Sequence, residues 1–245
     1  MYKKSILALA IAITSFTATS QNAPTGYLSL NTGVALPVGS FRNHYALNGS
    51  VTNISFGLPL SSSGWGISSS IGMCYNSFDA RAYTTRFASN AAYSYSVKSY
   101  SGYATNSLMF GSLYTIPTKK FSFDFTMQAG LLFSTSPTIK INVTDNMGNV
   151  AAAGMQGVGA TSFAFKIGAG ARYNLFPKFA FFANINWLSG TASYKNVLVT
   201  NYTQDQYGAL VTNKEYINFN QHISLLNFTA GVAWQFATSA SQKNK

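Results

Sequence analysis

The sequence predicts an all-β protein: an antiparallel, up-and-down β-barrel, most simply of eight strands, that crosses a membrane. Three observations carry this. Apolar and polar residues alternate with a period of two along most of the chain, short connections alternate with long ones, and charge is scarce where aromatic residues abound. Charged residues are 9% of the chain, against about 25% in ordinary globular domains. Aromatics are 15%, among them fifteen Tyr and nineteen Phe. A surface so poor in charge is hard to keep in solution, and it is explained if much of it faces lipid.

The chain opens with an export leader. Lys3 and Lys4 form a short positive segment, and residues 6–13 are an unbroken apolar run, too short to span a bilayer as a helix. Ala18 and Ser20 supply the small residues a signal peptidase needs, so cleavage is expected before Gln21. The chain then divides into a signal peptide (1–20), a barrel (21–236) and a tail (237–245). Cys74 is alone, so no intramolecular disulfide can form. Without Lys3 and Lys4, fourteen basic residues stand against five acidic ones, a net of +9. For an exported chain that balance points to anionic lipid or lipopolysaccharide more than to nucleic acid, or simply to solvated loops.

The clearest strand is 121–133. Phe121, Phe123, Phe125, Met127, Ala129, Leu131 and Phe133 fall on one face, and Ser122, Asp124, Thr126, Gln128, Gly130 and Leu132 on the other, which is mostly polar or small. Its length exceeds the ~9–11 residues a tilted strand needs to cross a bilayer. The pattern recurs at 162–173, and six further segments fit: 27–36, 51–60, 65–75, 106–116, 178–188 and 223–236. The segment 178–188 is the least clean, because Phe182 falls on the inner face. The connections 61–64, 117–120 and 174–177 are each four residues, whereas 37–50, 76–105, 134–161 and 189–222 are long. Short turns on one side and long loops on the other are the mark of membrane barrels. Two aromatic rims follow. Tyr27, Trp65, Tyr114, Phe121, Tyr173, Phe179, Trp234 and Phe236 are expected at the short-turn end, and Tyr75, Phe133, Phe163 and Trp187 at the other. The lumen is expected to be narrow, lined by Gly, Ser, Asn and Gln, and to hold Asp124, Lys166 and Arg172. Asp124 and Arg172 lie near the short-turn end of adjacent strands, and a structural charge pair between them is expected.

The run Ile223-Ser-Leu-Leu-Asn-Phe-Thr-Ala-Gly-Val-Ala-Trp-Gln-Phe236 and the opening Gly26-Tyr-Leu-Ser-Leu-Asn-Thr-Gly-Val-Ala-Leu-Pro-Val-Gly39 resemble the closing and first strands of small bacterial outer-membrane β-barrels, of the outer-membrane protein X and protein A type. The resemblance implies residence in the outer membrane of a Gram-negative envelope. It also implies recognition of the last strand by the barrel-assembly machinery, through Phe228, Trp234 and Phe236. The nine residues after Phe236 depart from the family's usual ending.

Function is less constrained, because one barrel hosts many activities. The first reading is a non-enzymatic surface or envelope protein, or an accessory subunit, that binds a protein partner or lipopolysaccharide through its outer loops. Tyr83, Tyr93, Tyr95, Tyr100 and Tyr103 in the second long loop are the binding candidates. Tyr-rich surfaces make adaptable contacts, and the same residues equally suit loop strands. The fourth long loop carries β-like runs at 194–202 and 209–220 around a turn at 204–208, a hairpin standing above the membrane. The second reading is an enzyme acting on lipid A as a hydrolase or acyltransferase, since some barrels similar to this one place a His with a Ser or Asp at the outer rim. Its candidates are His222 with Ser224, two residues apart on one face, and His44 with Ser77 or Asp79. The third reading is a narrow channel for small apolar ligands. No cofactor is expected, and no metal-ligating or phosphate-binding motif is present in the sequence.

Overall fold

In the computed structural model the chain is described at residues 24–43, 46–85, 93–176, 178–204, 207 and 209–236; the expected leader, its cleavage point, His44 and the tail lie outside these. In chain order the elements are β1 (Gly26–Pro37), α1 (Ser40–Asn43), β2 (Ala46–Pro59), β3 (Trp65–Phe78), α2 (Ala80–Thr85), β4 (Tyr93–Tyr100), β5 (Tyr103–Pro117), β6 (Phe121–Thr135), β7 (Ile139–Asp145), β8 (Val150–Met155), β9 (Gly159–Phe176), β10 (Phe179–Gln204) and β11 (Leu210–Phe236).

Eight of these strands close a ring. β1, β2, β3, β5, β6, β9, β10 and β11 pair in that order, each antiparallel to the next. β11 returns to β1 from Gly26↔Phe236 to Pro37↔Leu225. Closure leaves no backbone edge facing hydrocarbon, where no hydrogen-bond partner exists. The predicted eight-stranded barrel is therefore the fold. At the tight turn between β2 and β3, Leu60 and Ser61 N–H groups donate to the Trp65 carbonyl, and Gly64 takes a left-handed φ of 92°.

The outer face is apolar at strand after strand. Leu30, Phe110, Met127, Phe165 and Ile167 are each at least half exposed, an apolar belt no soluble monomer carries. At the short-turn end Trp65 lies on Tyr114 (4.9 Å between centroids) and Phe121 on Tyr173 (5.0 Å), with Phe179 and Trp234 also turned outward. Tyr75, Phe133, Phe163 and Trp187 form the opposite rim. Tyr27 departs from the expected rim. It shares the parity of Ser29 and Asn31, faces the lumen and is 2% exposed.

The three further strands, β4, β7 and β8, fold from the long loops. With the outer halves of β10 and β11 they make an upper sheet in the order β11-β10-β8-β7-β4. The β10–β11 ladder runs unbroken in direction from Phe179↔Trp234 to Gln204↔Leu210, so the hairpin above the membrane is present. A register shift between Tyr194 and Val197 marks where it leaves the barrel. Asn196 adopts a left-handed φ of 55° there, and its N–H donates to Asn218 Oδ1. Asn is among the few residues that tolerate that conformation.

Candidate functional site

The lumen is built in storeys. Alternation on β6 and β9 turns Asp124, Gln128, Lys166 and Arg172 inward, and all are buried. At the short-turn end Arg172 donates Nε to Asp124 Oδ2 (2.7 Å) and Nη2 to Oδ1 (2.9 Å). Such a bidentate fork is the strong form of a charge-assisted bond. Thr115 Oγ1 donates to the same Asp124 Oδ1 (2.7 Å), and the guanidinium lies 4.3 Å above the centre of the Tyr27 ring. Phe182 meets Tyr27 edge-on at 5.3 Å. These two rings occupy the space where a Cβ would stand on Gly170 and Gly57. The inward Phe182 is thus an aromatic cover over bare backbone, a known device for strand glycines.

One storey higher, Lys166 Nζ donates to Ser70 Oγ (2.6 Å), Ser70 to Gln128 Oε1 (2.8 Å) and Gln128 Nε2 to Ser68 Oγ (2.9 Å). A cavity of about 20 Å³ remains between this chain and the Tyr27–Phe182 pair, room for roughly a single water. Above it large apolar side chains join the polar lining, in which Asn76, Thr105, Ser107 and Ser134 are also buried. Val51, Met109, Leu132, Leu188 and Leu225 close the wall, and α1 inserts Phe41, which is fully buried and packs on Tyr103 (5.0 Å). The same apolar cluster continues into the upper sheet through Tyr194, Val197, Ile139, Ile141 and Val143. Barrel mouth and upper sheet therefore share one core.

No family model and no curated protein matches this chain. Solved structures do. The chain is similar to Neisserial surface protein A, with 14% identity, a TM-score of 0.46, and 86% of this chain and 97% of that one covered. It is similar to Ail, the attachment invasion locus protein of Yersinia pestis, with 11% identity, a TM-score of 0.40, and 86% and 97% covered. It is also similar to the outer membrane protein OprG from Pseudomonas aeruginosa, with 11% identity, a TM-score of 0.42, and 90% and 100% covered. At these identities the likeness is one of fold, and the chemistry has to be read from this chain's own residues.

At the outer rim His222 is exposed. Its ring nitrogens lie 3.2 Å from Ser189 Oγ and 3.2 Å from Thr191 Oγ1. Ser224 Oγ instead accepts the indole N–H of Trp187 (2.9 Å). His222 and Ser224 thus belong to two separate rim hydrogen-bond groups. Asp79 caps α2 by accepting from the Ala82 N–H, and Ser77 is exposed nearby.

The loop tyrosines are drawn together, but mostly inward. Tyr103 is 5% exposed, wedged between Phe41 and Phe78, and Tyr83 packs on Phe78. Tyr93 meets Tyr202 at 5.4 Å, and the hydroxyls of Tyr95 and Tyr202 lie 2.7 Å apart. Burial, then the Tyr95 hydroxyl, raises the Tyr202 phenol above its ordinary range, so it stays neutral. Tyr100 is 57% exposed. Four of the five candidates therefore build the upper core, because loops this long cannot hold a sheet without an apolar layer behind it. Sequence reasoning missed Tyr27 and Phe41; strand parity would have found the first, and nothing in the loop marks the second.

Proposed function

We propose that this protein is a non-enzymatic outer-membrane surface protein whose barrel is a closed anchor and whose upper sheet is the working face. The observation that supports it is the double closure of the lumen, by the Arg172–Asp124–Tyr27–Phe182 group below and the apolar plug around Phe41 above. The plug is continuous with the sheet above it. A chain built this way holds a folded platform outside the lipid and passes nothing through its centre. The exposed aromatic belt seats it in the bilayer, in contact with lipid and lipopolysaccharide. Phe228, Trp234 and Phe236, outward on β11, are proposed as the residues the barrel-assembly machinery reads.

Conductance tests this. Purified protein in a planar bilayer is expected to give no current steps, and proteoliposomes are expected to exclude small sugars. Regular unitary conductance from the intact chain would overturn the anchor reading and revive the narrow channel.

A further inference from the structure

The upper sheet has one face in the core and one in water, and the watery face carries a row of lysines. Lys140 on β7 pairs with Gly154 on β8, Gly154 with Thr200 on β10, and Thr200 with Lys214 on β11. On β4 the register shift between Val97 and Ser99 inserts Lys98 beside Lys140, and such bulges re-aim side chains. Adjacent strands lie about 4.8 Å apart, so Lys140 and Lys214 stand roughly 14 Å apart, with Lys98 about one strand further out. All three line a single groove of about 640 Å³, whose floor runs over Gly154 and Thr200.

Among the described residues, none that lines that groove is acidic. Of the acids among the described residues, Asp124 is paired in the lumen, Asp79 caps α2 and Asp145 holds its own turn. Glu215 alternates to the other face of β11, where it accepts from Asn201 Nδ2. Like charges on neighbouring strands without a counter-ion are destabilising, and local rules are broken chiefly where function requires it. Protection of an open edge accounts for Lys98 and Lys214, on the outermost strands of the upper sheet. It does not account for Lys140, whose strand is paired on both sides.

Position and lining select the ligand. Thr200 is thirteen residues beyond Trp187 of the outer rim, roughly 43 Å of strand and about 30 Å of height at a barrel strand's tilt. The headgroup layer is only about 5–8 Å deep on each side, so lipid phosphates lie well below the groove. Its neutral lining, Thr200, Thr212, Asn142 and Gln156, offers hydroxyl and amide groups, and none of the described lining residues carries an aromatic ring for a base to stack on. We propose that this groove binds an acidic polysaccharide outside the cell, its carboxylates or sulfates on Lys98, Lys140 and Lys214 and its hydroxyls on the neutral lining; this rests on the surface-anchor reading.

The test is calorimetric titration of the intact mature chain in detergent micelles. The probes are an oligoguluronate (carboxylate), a dextran sulfate oligomer (sulfate), neutral dextran and oligothymidylate. At least one acidic glycan is expected to bind, more weakly as salt rises, with the better of the two identifying the anion. The variant K98Q/K140Q/K214Q is expected to lose about tenfold in affinity or more. The variant K119Q/K120Q/K178Q carries the same change of charge on exposed residues at the short turns, and is expected to stay within about twofold. Equal loss in both variants, equal binding of neutral dextran, oligothymidylate binding at least as well through the same lysines, or no binding of either acidic glycan would each overturn the proposal. Conductance on the same preparations reports separately on the anchor reading.

Discussion

Replacing Arg172 by Met removes the lumen's guanidinium and leaves Asp124 behind. Asp124 and Arg172 have side-chain exposures of 1% and 0%, so the orphaned carboxylate gains no water by the change. Arg172 contributes two charge-assisted bonds and the stacking on Tyr27. Breaking such a buried pair from one side costs about 3–5 kcal/mol, and the lost cation–π contact adds about 0.5–2 kcal/mol. Asp124→Asn is expected to cost a comparable amount for the opposite reason, an unpaired guanidinium. The double variant, Asp124→Asn with Arg172→Met, leaves no charge at that level and is expected to recover at least about 2 kcal/mol of the summed single losses, as removal of both partners typically does. Urea unfolding in lipid vesicles, followed by the mobility change between folded and boiled protein on gels, measures all four states. Arg172→Met within about 0.5 kcal/mol of the parent, the range of an ordinary surface change, would show that the pair reaches water and that the lower seal does not exist.

Three further outcomes are expected. Phe125→Arg, on the lipid face at 42% exposure, destabilises by about 2–4 kcal/mol in vesicles, whereas Tyr216→Arg on the exposed upper sheet leaves the unfolding curve unchanged. Gly170→Ala puts a Cβ 2.5 Å from Asn184 Oδ1 and 2.6 Å from the Phe182 ring; it costs about 1–3 kcal/mol by overpacking, and a second change, Phe182→Ala, makes the Gly170→Ala step cheaper if the ring is the obstacle. Asp145 accepts from the Asn149 side chain and from the Asn149 and Met147 N–H groups, Asn149's side chain foremost, which lowers its pKa below the ordinary 3.8. Its contribution to the β7–β8 turn is therefore complete above that value and is lost as pH falls through the lower, folded one. The Met147 and Asn149 amide resonances should titrate with that lower midpoint, and a midpoint at or above the ordinary value would mean the cap is not formed.

The barrel was legible because its signal is repeated eight times over. Alternation at 121–133 and 162–173 states which residues face lipid, and the four-residue connections state the topology. The lumen was half legible. Parity placed Asp124, Lys166 and Arg172 inside, but parity does not say that α1 dips into the mouth, since Phe41 lies in a loop with no period. Phe182 looked like an irregularity from its own strand alone. Its reason lies on the neighbouring strand, in Gly170. The upper sheet was legible only where the sequence is continuous, in the β10–β11 hairpin. β4, β7 and β8 are short, and although β7 and β8 form a hairpin, the β4–β7 and β8–β10 pairings join segments far apart in the chain. The lysine row requires the β7–β8, β8–β10 and β10–β11 pairings and the β4 bulge at once, so no local pattern could have announced it.

The β10–β11 ladder has a mechanical meaning. A load on the upper sheet, pulling outward, runs along β10 and β11 together and is shared by the hydrogen bonds that tie them to β9, from Gly190↔Ala164 down to Phe179↔Phe176, and to β1, from Pro37↔Leu225 down to Gly26↔Phe236. Bonds loaded together in this shearing direction yield far less readily than bonds opened one after another. No flexible tether separates the platform from the wall on this hairpin, and the one interruption is the register shift between Tyr194 and Val197. A platform mounted this way transmits tension straight into the barrel, and that shift, above the barrel's outer rim, is the place where the mast would first give.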